Sequence, residues 1–268
     1  MFWLALLIVI YSYLEAQFIR VRRDTVFVNG LPPSLERFRI IHISDLHFSR
    51  FGAREKRLCR ILEKTDGDLA VFTGDYKARK KTNEGKVAEI LQRVSACTRA
   101  RFGSVGVLGN KDNQGMVEGI ERAGIEILSN SVKRLTLGKD DLWIAGIDDL
   151  PLERATRALL SVTSMMPENS PRILLSHRPD VARLARALGY AVILAGDTHG
   201  GQIRLPLIGA PYVKSKVSRR YCWGIIREGD SVLCVSSGIG TSGFPLRLLC
   251  PPEVRVLTVV GKAGEPAK

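Results

Sequence analysis

The chain is 268 residues long, 45% hydrophobic and 25% charged, enough apolar material for one substantial core and too much for a disordered segment. Lysines and arginines number 40 against 27 aspartates and glutamates, and the resulting +13 favours anionic partners: a phosphorylated substrate, an anionic lipid surface or nucleic acid. Aromatics are only 7% with no nucleic-acid-binding signature, so nucleic acid is not expected, and five scattered cysteines without a CxxC pair argue against a disulfide framework or a cysteine zinc site.

Met1 to Leu14 is almost wholly apolar, with Ser12 its one clearly polar side chain, before Glu15 and Gln17 break the run. As a helix it reaches about 21 Å, short of a hydrocarbon core of about 30 Å. It also lacks the basic lead and cleavage site of a secretory signal. Residues 1–19 are therefore expected to form an uncleaved membrane anchor, oblique or within one leaflet, with a buried core helix as the alternative. Arg20, Arg22 and Arg23 follow the run. By the positive-inside tendency they put the catalytic domain on the cytoplasmic face, at a bacterial inner membrane.

Loose alternation predicts a strand over Phe18–Val28, and Leu31-Pro32-Pro33 marks a turn. Strands are then expected at Phe38–Ser44, Leu69–Thr73, Ser104–Leu108, Leu142–Ile147, Ile173–Ser176 and Ala191–Ala195. Helical periodicity falls between them at Gly52–Glu63, Lys86–Thr98, Met116–Ala123, Leu152–Val162 and Val181–Leu188. The alternation predicts an α/β fold for a domain over 20–262. Gln202–Val260 reads as strands and Gly/Pro-rich loops of a second sheet, and 263–268 as a loose tail.

Polar clusters stand just beyond these strand-like runs: Asp45-Leu46-His47, Gly74-Asp75, Gly109-Asn110-Lys111-Asp112, His177, and Gly196-Asp197-Thr198-His199-Gly200-Gly201. Ligands of open α/β sheets gather at the carboxyl ends of strands, so the clusters are read as one site. Singly, each has an ordinary alternative: Asp45 and Asp75 as helix N-caps, Asn110 and His199 as turn or loop residues. His42, inside a strand, is read as a packed or supporting histidine.

In order and spacing the clusters resemble the calcineurin-like metallophosphoesterase family, whose pattern runs D-x-H, G-D, G-N-H-D, a lone H, then G-H-x-H. The resemblance spans about Ile41 to Gly201. Gly200–Pro206 and Ser236–Ser242 also look like the membrane-anchored branch, which includes UDP-2,3-diacylglucosamine hydrolases and related phosphodiesterases. The resemblance implies a four-layer αββα sandwich of two mixed sheets flanked by helices. It implies two divalent metal ions, Mn²⁺ foremost with Fe, Zn or Mg as other candidates. Asp45, His47, Asp75 and His199 would hold the first; Asp75 would bridge to a second completed by Asn110, His177 and Asp197. Asp75, Asn110 and Lys111 would be the catalytic residues. A metal pair of this kind generates a nucleophile and clamps a phosphoryl group.

Two positions depart from the family pattern. Lys111 replaces the histidine of G-N-H-D, and Asp197 replaces the first histidine of G-H-x-H. Lysine, with a reference pKa near 10.4, is a poor general acid but a good electrostatic clamp. The pair therefore fits a leaving group that departs without a proton, as a phosphate does. The alternative is decay to a phosphate- or lipid-binding module. The expected substrate is a phosphorylated lipid or nucleotide-linked molecule at a membrane surface, UDP-2,3-diacylglucosamine being the leading choice. A phosphodiesterase for another envelope or nucleotide substrate is the enzymatic alternative. Lys77–Lys81 lies close enough after Asp75 to reach a substrate's phosphates, with a solvated loop as the more ordinary reading.

Overall fold

The structure, a computed structural model, describes residues 2–213 and 219–262. In chain order the elements are α1 (Phe2–Glu15), β1 (Arg20–Val28), β2 (Phe38–Ile43), α2 (Ala53–Leu62), β3 (Asp66–Gly67), β4 (Leu69–Phe72), α3 (Glu84–Ala96), β5 (Arg99–Ala100), β6 (Ser104–Gly106) and α4 (Val117–Arg122). Then come β7 (Ile125–Ile127), β8 (Ser131–Leu137), β9 (Asp140–Ile147), α5 (Leu152–Ser164), β10 (Arg172–Ser176), α6 (Ala182–Ala187), β11 (Val192–Ala195), β12 (Gly224–Glu228), β13 (Ser231–Val235) and β14 (Glu253–Gly261). One six-stranded sheet has the order β1-β14-β2-β4-β6-β7, the other β12-β13-β11-β10-β9-β8.

Side chains alternate across each strand, and in the central strands β2, β4, β10 and β11 both faces are buried. Ile40 of β2 joins the cluster between the sheets with Val71, Val105, Ile144, Leu175 and Leu194. Its neighbours Ile41 and Ile43 point the other way, onto Leu58, Val87, Leu91 and Ile120 of α2, α3 and α4. In β10, Leu174 likewise leaves the central cluster to meet Leu159 and Val162 of α5 and Ala185 of α6. The result is the expected sandwich of two mixed sheets with helices outside. Each aliphatic side chain buried in this way contributes about 1.5–3 kcal/mol relative to exposure.

Two expectations are corrected. The segment 202–260 does not all join the second sheet: β12 and β13 do, but β14 enters the first, parallel to β1 and antiparallel to β2. It fits there because it is apolar on both faces, Val254 packing under the helices and Leu257 and Val259 between the sheets. The second correction concerns the inner-membrane location. Among the described residues no helix is long and apolar enough to cross a membrane. Helix α1 has 14 residues, and its far end is tied into the domain, with Ser12, Glu15 and Ala16 buried and the Ser12 carbonyl accepting from the Arg247 N–H at 2.9 Å. The tail over 263–268 lies outside the described residues.

Candidate metal centre

The parallel strands β2, β4 and β6 of one sheet and β10 and β11 of the other deliver their carboxyl ends to one place. The loops that follow carry Asp45 and His47, Asp75, Asn110 and Lys111, His177, and Asp197 and His199. They pass close to one another: a Cβ on Gly74 would lie 2.5 Å from the Gly109 nitrogen, so the approach needs glycine there. Asp45, His47, Asp75, Asp197 and His199 all have φ between 47° and 66°. Non-glycine residues rarely adopt this left-handed region, and such strain collects at functional sites.

In one half of the site Asp45, His47 and His199 converge, each offering a ligand atom within 4.8 Å of the others. His47 Nδ1 lies 3.3 Å from the Lys77 carbonyl and donates to it, which leaves Nε2 as the lone-pair nitrogen. That atom is 3.0 Å from His199 Nε2, and His199 Nε2 is 3.6 Å from Asp45 Oδ1. Asp45 Oδ2 accepts from Ser44 Oγ at 2.6 Å and from the Asp197 N–H at 3.2 Å. Among the described residues Asp45 Oδ1 is buried without a hydrogen-bond partner. Burial pushes the Asp45 carboxyl up to about 7, with His177 opposing and Asp75 reinforcing the shift. Burial likewise pushes His47 down to about 4 and His199 well below the ordinary histidine range. A dication would favour the ionised carboxylate and the neutral imidazoles together, so this donor set fits a divalent metal.

The other half is internally satisfied. Asn110 Nδ2 donates to Asp197 Oδ1 at 3.0 Å, and Asn110 Oδ1 accepts from the Lys111 ammonium. Lys111 Nζ is also 4.0 Å from Asp75 Oδ2, and the Lys111 N–H donates to Asp75 Oδ1 at 2.8 Å. His177 Nε2 stands 3.6 Å from both Asp75 Oδ1 and Asp197 Oδ1. Burial works against charge on His177, but the surrounding carboxylates Asp75, Asp197 and Asp45 hold it protonated well above the ordinary value. Asp197 is lowered because its bond to His177 and the His177 charge prevail over burial. Asp45, Asp75 and His177 form a second group able to hold a metal, and Asp197 stands outside both groups.

All eight residues singled out from the sequence thus meet in one site; among the groups that support it, Ser44, Thr73 and Arg247 carry no such signal. Ser44 and Thr73 form a buried chain: His42 Nε2 bonds Thr73 Oγ1 at 2.9 Å, Thr73 Oγ1 donates to Ser44 Oγ at 2.7 Å, and Ser44 reaches Asp45. The Thr73 carbonyl accepts from His177 Nδ1 at 2.7 Å. Arg247 is fully buried and donates to the carbonyls of Ser237, Gly240 and Cys250, with one guanidinium nitrogen 3.5 Å from His199 Nδ1. The Ser236–Ser242 stretch buttresses the first loop, its Ile239 and Gly240 N–H groups donating to the Ser44 and Asp45 carbonyls at 3.0 and 2.7 Å. Asp112 ties two loops together by accepting from the Gly109 and Tyr76 N–H groups at 2.8 and 3.0 Å. Lys77 does not reach toward a substrate. It is buried, and its ammonium bonds Glu84 at 2.6 Å.

Residues 38–201 match the calcineurin-like phosphoesterase family. The chain belongs to that family. It is 30% identical over 277 residues to a metallophosphoesterase of Aquifex aeolicus, covering 98% of this chain and all (100%) of that protein. It is 29% identical over 257 residues to the Bacillus subtilis metallophosphoesterase YkuE, covering 92% of this chain and 87% of YkuE. Against the Escherichia coli phosphodiesterase YaeI it is 30% identical over 238 residues, covering 83% of this chain and 82% of YaeI. The protein is accordingly a metal-dependent phosphoester hydrolase. The family works with a dimetal centre, and the Asp/His groups described above are where this member could bind metal.

Proposed function

We propose that this phosphoesterase hydrolyses a phosphodiester or pyrophosphate bond whose leaving group departs without taking a proton from the protein. The observation that carries this reading is the position of Lys111, whose ammonium lies on Asn110 Oδ1 and 4.0 Å from Asp75 Oδ2. An ammonium there attracts and orients a phosphoryl oxygen but is a poor acid at neutral pH. Asp45, His47, Asp75 and His199 would hold divalent metal, Mn²⁺ being our first choice, and Asn110, His177 and Asp197 line the adjoining side. Bound metal supplies Lewis acidity and a nucleophile at neutral pH. Asn110 and Lys111 position the phosphoryl group against it.

The leading specific substrate is UDP-2,3-diacylglucosamine of lipid A biosynthesis, split by water at its pyrophosphate to give UMP. Both products leave as phosphates, which agrees with the missing acid. Exposed apolar side chains on the loops beside His199 and Gly240 support a substrate with an apolar portion: Ile203, Leu207, Ile208, Tyr212 and Phe244. The resemblance to YaeI supports a second reading, a phosphodiesterase acting on another nucleotide or envelope substrate.

The test is Mn²⁺-dependent turnover of bis-p-nitrophenyl phosphate and UMP release from the UDP-lipid, each compared with Asp75→Ala. Turnover of both, lost in the variant, supports the leading reading. Turnover of the activated diester without UMP release favours the second. No turnover by folded protein with Mn, Zn, Fe or Mg would sink both.

A further inference from the structure

The two halves of the centre are unlike in a way that bears on how many metals the chain takes. The half built by Asp45, His47 and His199 is short of partners: among the described residues Asp45 Oδ1 is buried without a hydrogen bond, and two imidazole Nε2 atoms face each other at 3.0 Å. The half built by Asn110, His177 and Asp197 already contains a cation. Lys111 Nζ bonds Asn110 Oδ1, the one oxygen that amide could offer a metal, and approaches the outer oxygen of Asp75. The amide nitrogen of Asn110 is spent on Asp197 Oδ1, and that same Asp197 oxygen lies 3.6 Å from His177 Nε2. Like charges in so small a volume repel strongly, so an ammonium and a dication compete for these oxygens.

We infer that the Lys111 ammonium stands in for the second dication of the family's pair, so that this protein takes a single divalent metal on Asp45, His47, Asp75 and His199. The inference rests on the ligand assignment proposed above and deepens it. The second cation becomes part of the chain: it is permanent, cannot be chelated, and is matched in charge by Asp197. Lys111 and Asp197 then belong to one exchange, a dication and a neutral ligand traded for an ammonium and a carboxylate, which lowers the local charge by two.

The test is a metal count. The full chain is stripped with a chelator, reloaded with excess Mn²⁺, desalted and analysed for Mn per chain, with electron paramagnetic resonance in parallel. One Mn per chain with an uncoupled signal is expected, and Asp45→Asn should lose it. Lys111→Met removes the charge at similar bulk and should take two Mn with an exchange-coupled signal, whereas Lys111→Arg should stay at one. Should Lys111→Met fail to fold, Lys111→Gln gives the same readout. Two coupled Mn in the unaltered protein would overturn the inference, as would a count of one in the folded uncharged variant. A failed phosphoesterase reading shows differently, as absent turnover in protein that holds its metal.

Discussion

Ser44 Oγ donates to Asp45 Oδ2 at 2.6 Å and thereby decides which oxygen of that carboxylate is left free. The free one, Oδ1, is the buried atom that faces His199 and has no hydrogen-bond partner among the described residues. Partners of this outer kind set the orientation of metal-binding groups, and losing one commonly costs about 10–100-fold in affinity. Ser44→Ala should therefore weaken Mn²⁺ binding by about that factor while the protein stays folded. Isothermal titration of stripped protein reads the change, and an unaltered affinity would remove Ser44 from the site.

At the other end of that hydrogen-bond chain His42 is predicted to make the fold sensitive to acid. Burial first, and the Arg255 charge second, push its pKa from 6.5 down to about 3. The unfolded chain thus takes up the proton more readily than the folded one. The contribution to stability is complete above about pH 6.5 and is lost as pH falls toward 3, by about 1.4 kcal/mol per unit within that window. Urea midpoints between pH 7 and 5 should fall less steeply for His42→Gln than for the unaltered protein. Parallel slopes would show that His42 titrates alike in both states.

Arg247→Met should be among the most destabilising single changes. The guanidinium is fully buried, and its loss strands the Ser237, Gly240 and Cys250 carbonyls, each otherwise bonded at 2.5–3.0 Å. A buried group left without a partner costs about 1–3 kcal/mol, so a loss of about 3 kcal/mol or more is expected in chemical denaturation. A loss below about 1 kcal/mol would mean that these carbonyls find water.

Gly240→Ala should damage the centre more than the fold. The added Cβ would sit 2.5 Å from His47 Cβ and 2.9 Å from the Asp45 carbonyl. Overpacking of this kind costs about 1–3 kcal/mol, and the loop holding His47 is the part able to yield. Metal affinity should drop at least tenfold, with the unfolding temperature lowered by only a few degrees. Full affinity would show that the glycine loop moves instead.

The residues that meet in the centre were legible because their setting is local. A short apolar run followed by Asp45 or by His177 carries its meaning within a few residues, and the parallel sheets do the gathering. Lys111 and Asp197 stood out for the same reason, as departures inside otherwise regular clusters. Arg247 was not legible, since a lone arginine among loop residues gives no sign that it will be walled in by carbonyls three to ten residues away in sequence. Lys77 misled because charge density says nothing about direction, and its side chain turned to Glu84. The strand Ile125–Ile127 was missed because three residues carry no period, and Ser131–Leu137 because only Leu135 and Leu137 of its seven residues are buried. Hydropathy of the apolar run before Glu15 likewise does not register that Ser12 is buried there while Trp3, Leu4 and Leu7 stay exposed.

The place of β14 also sets an order of events during synthesis. Among the described strands β1 pairs only with β14, so Arg20 has no sheet partner until Glu253 has been made. The same late strand completes β2, whose carboxyl end carries Asp45. Partners so far apart in sequence pair slowly and leave apolar strand edges bare meanwhile. A nascent chain that stalls after β13 already contains every proposed metal ligand, yet lacks the strand that seats the first of them.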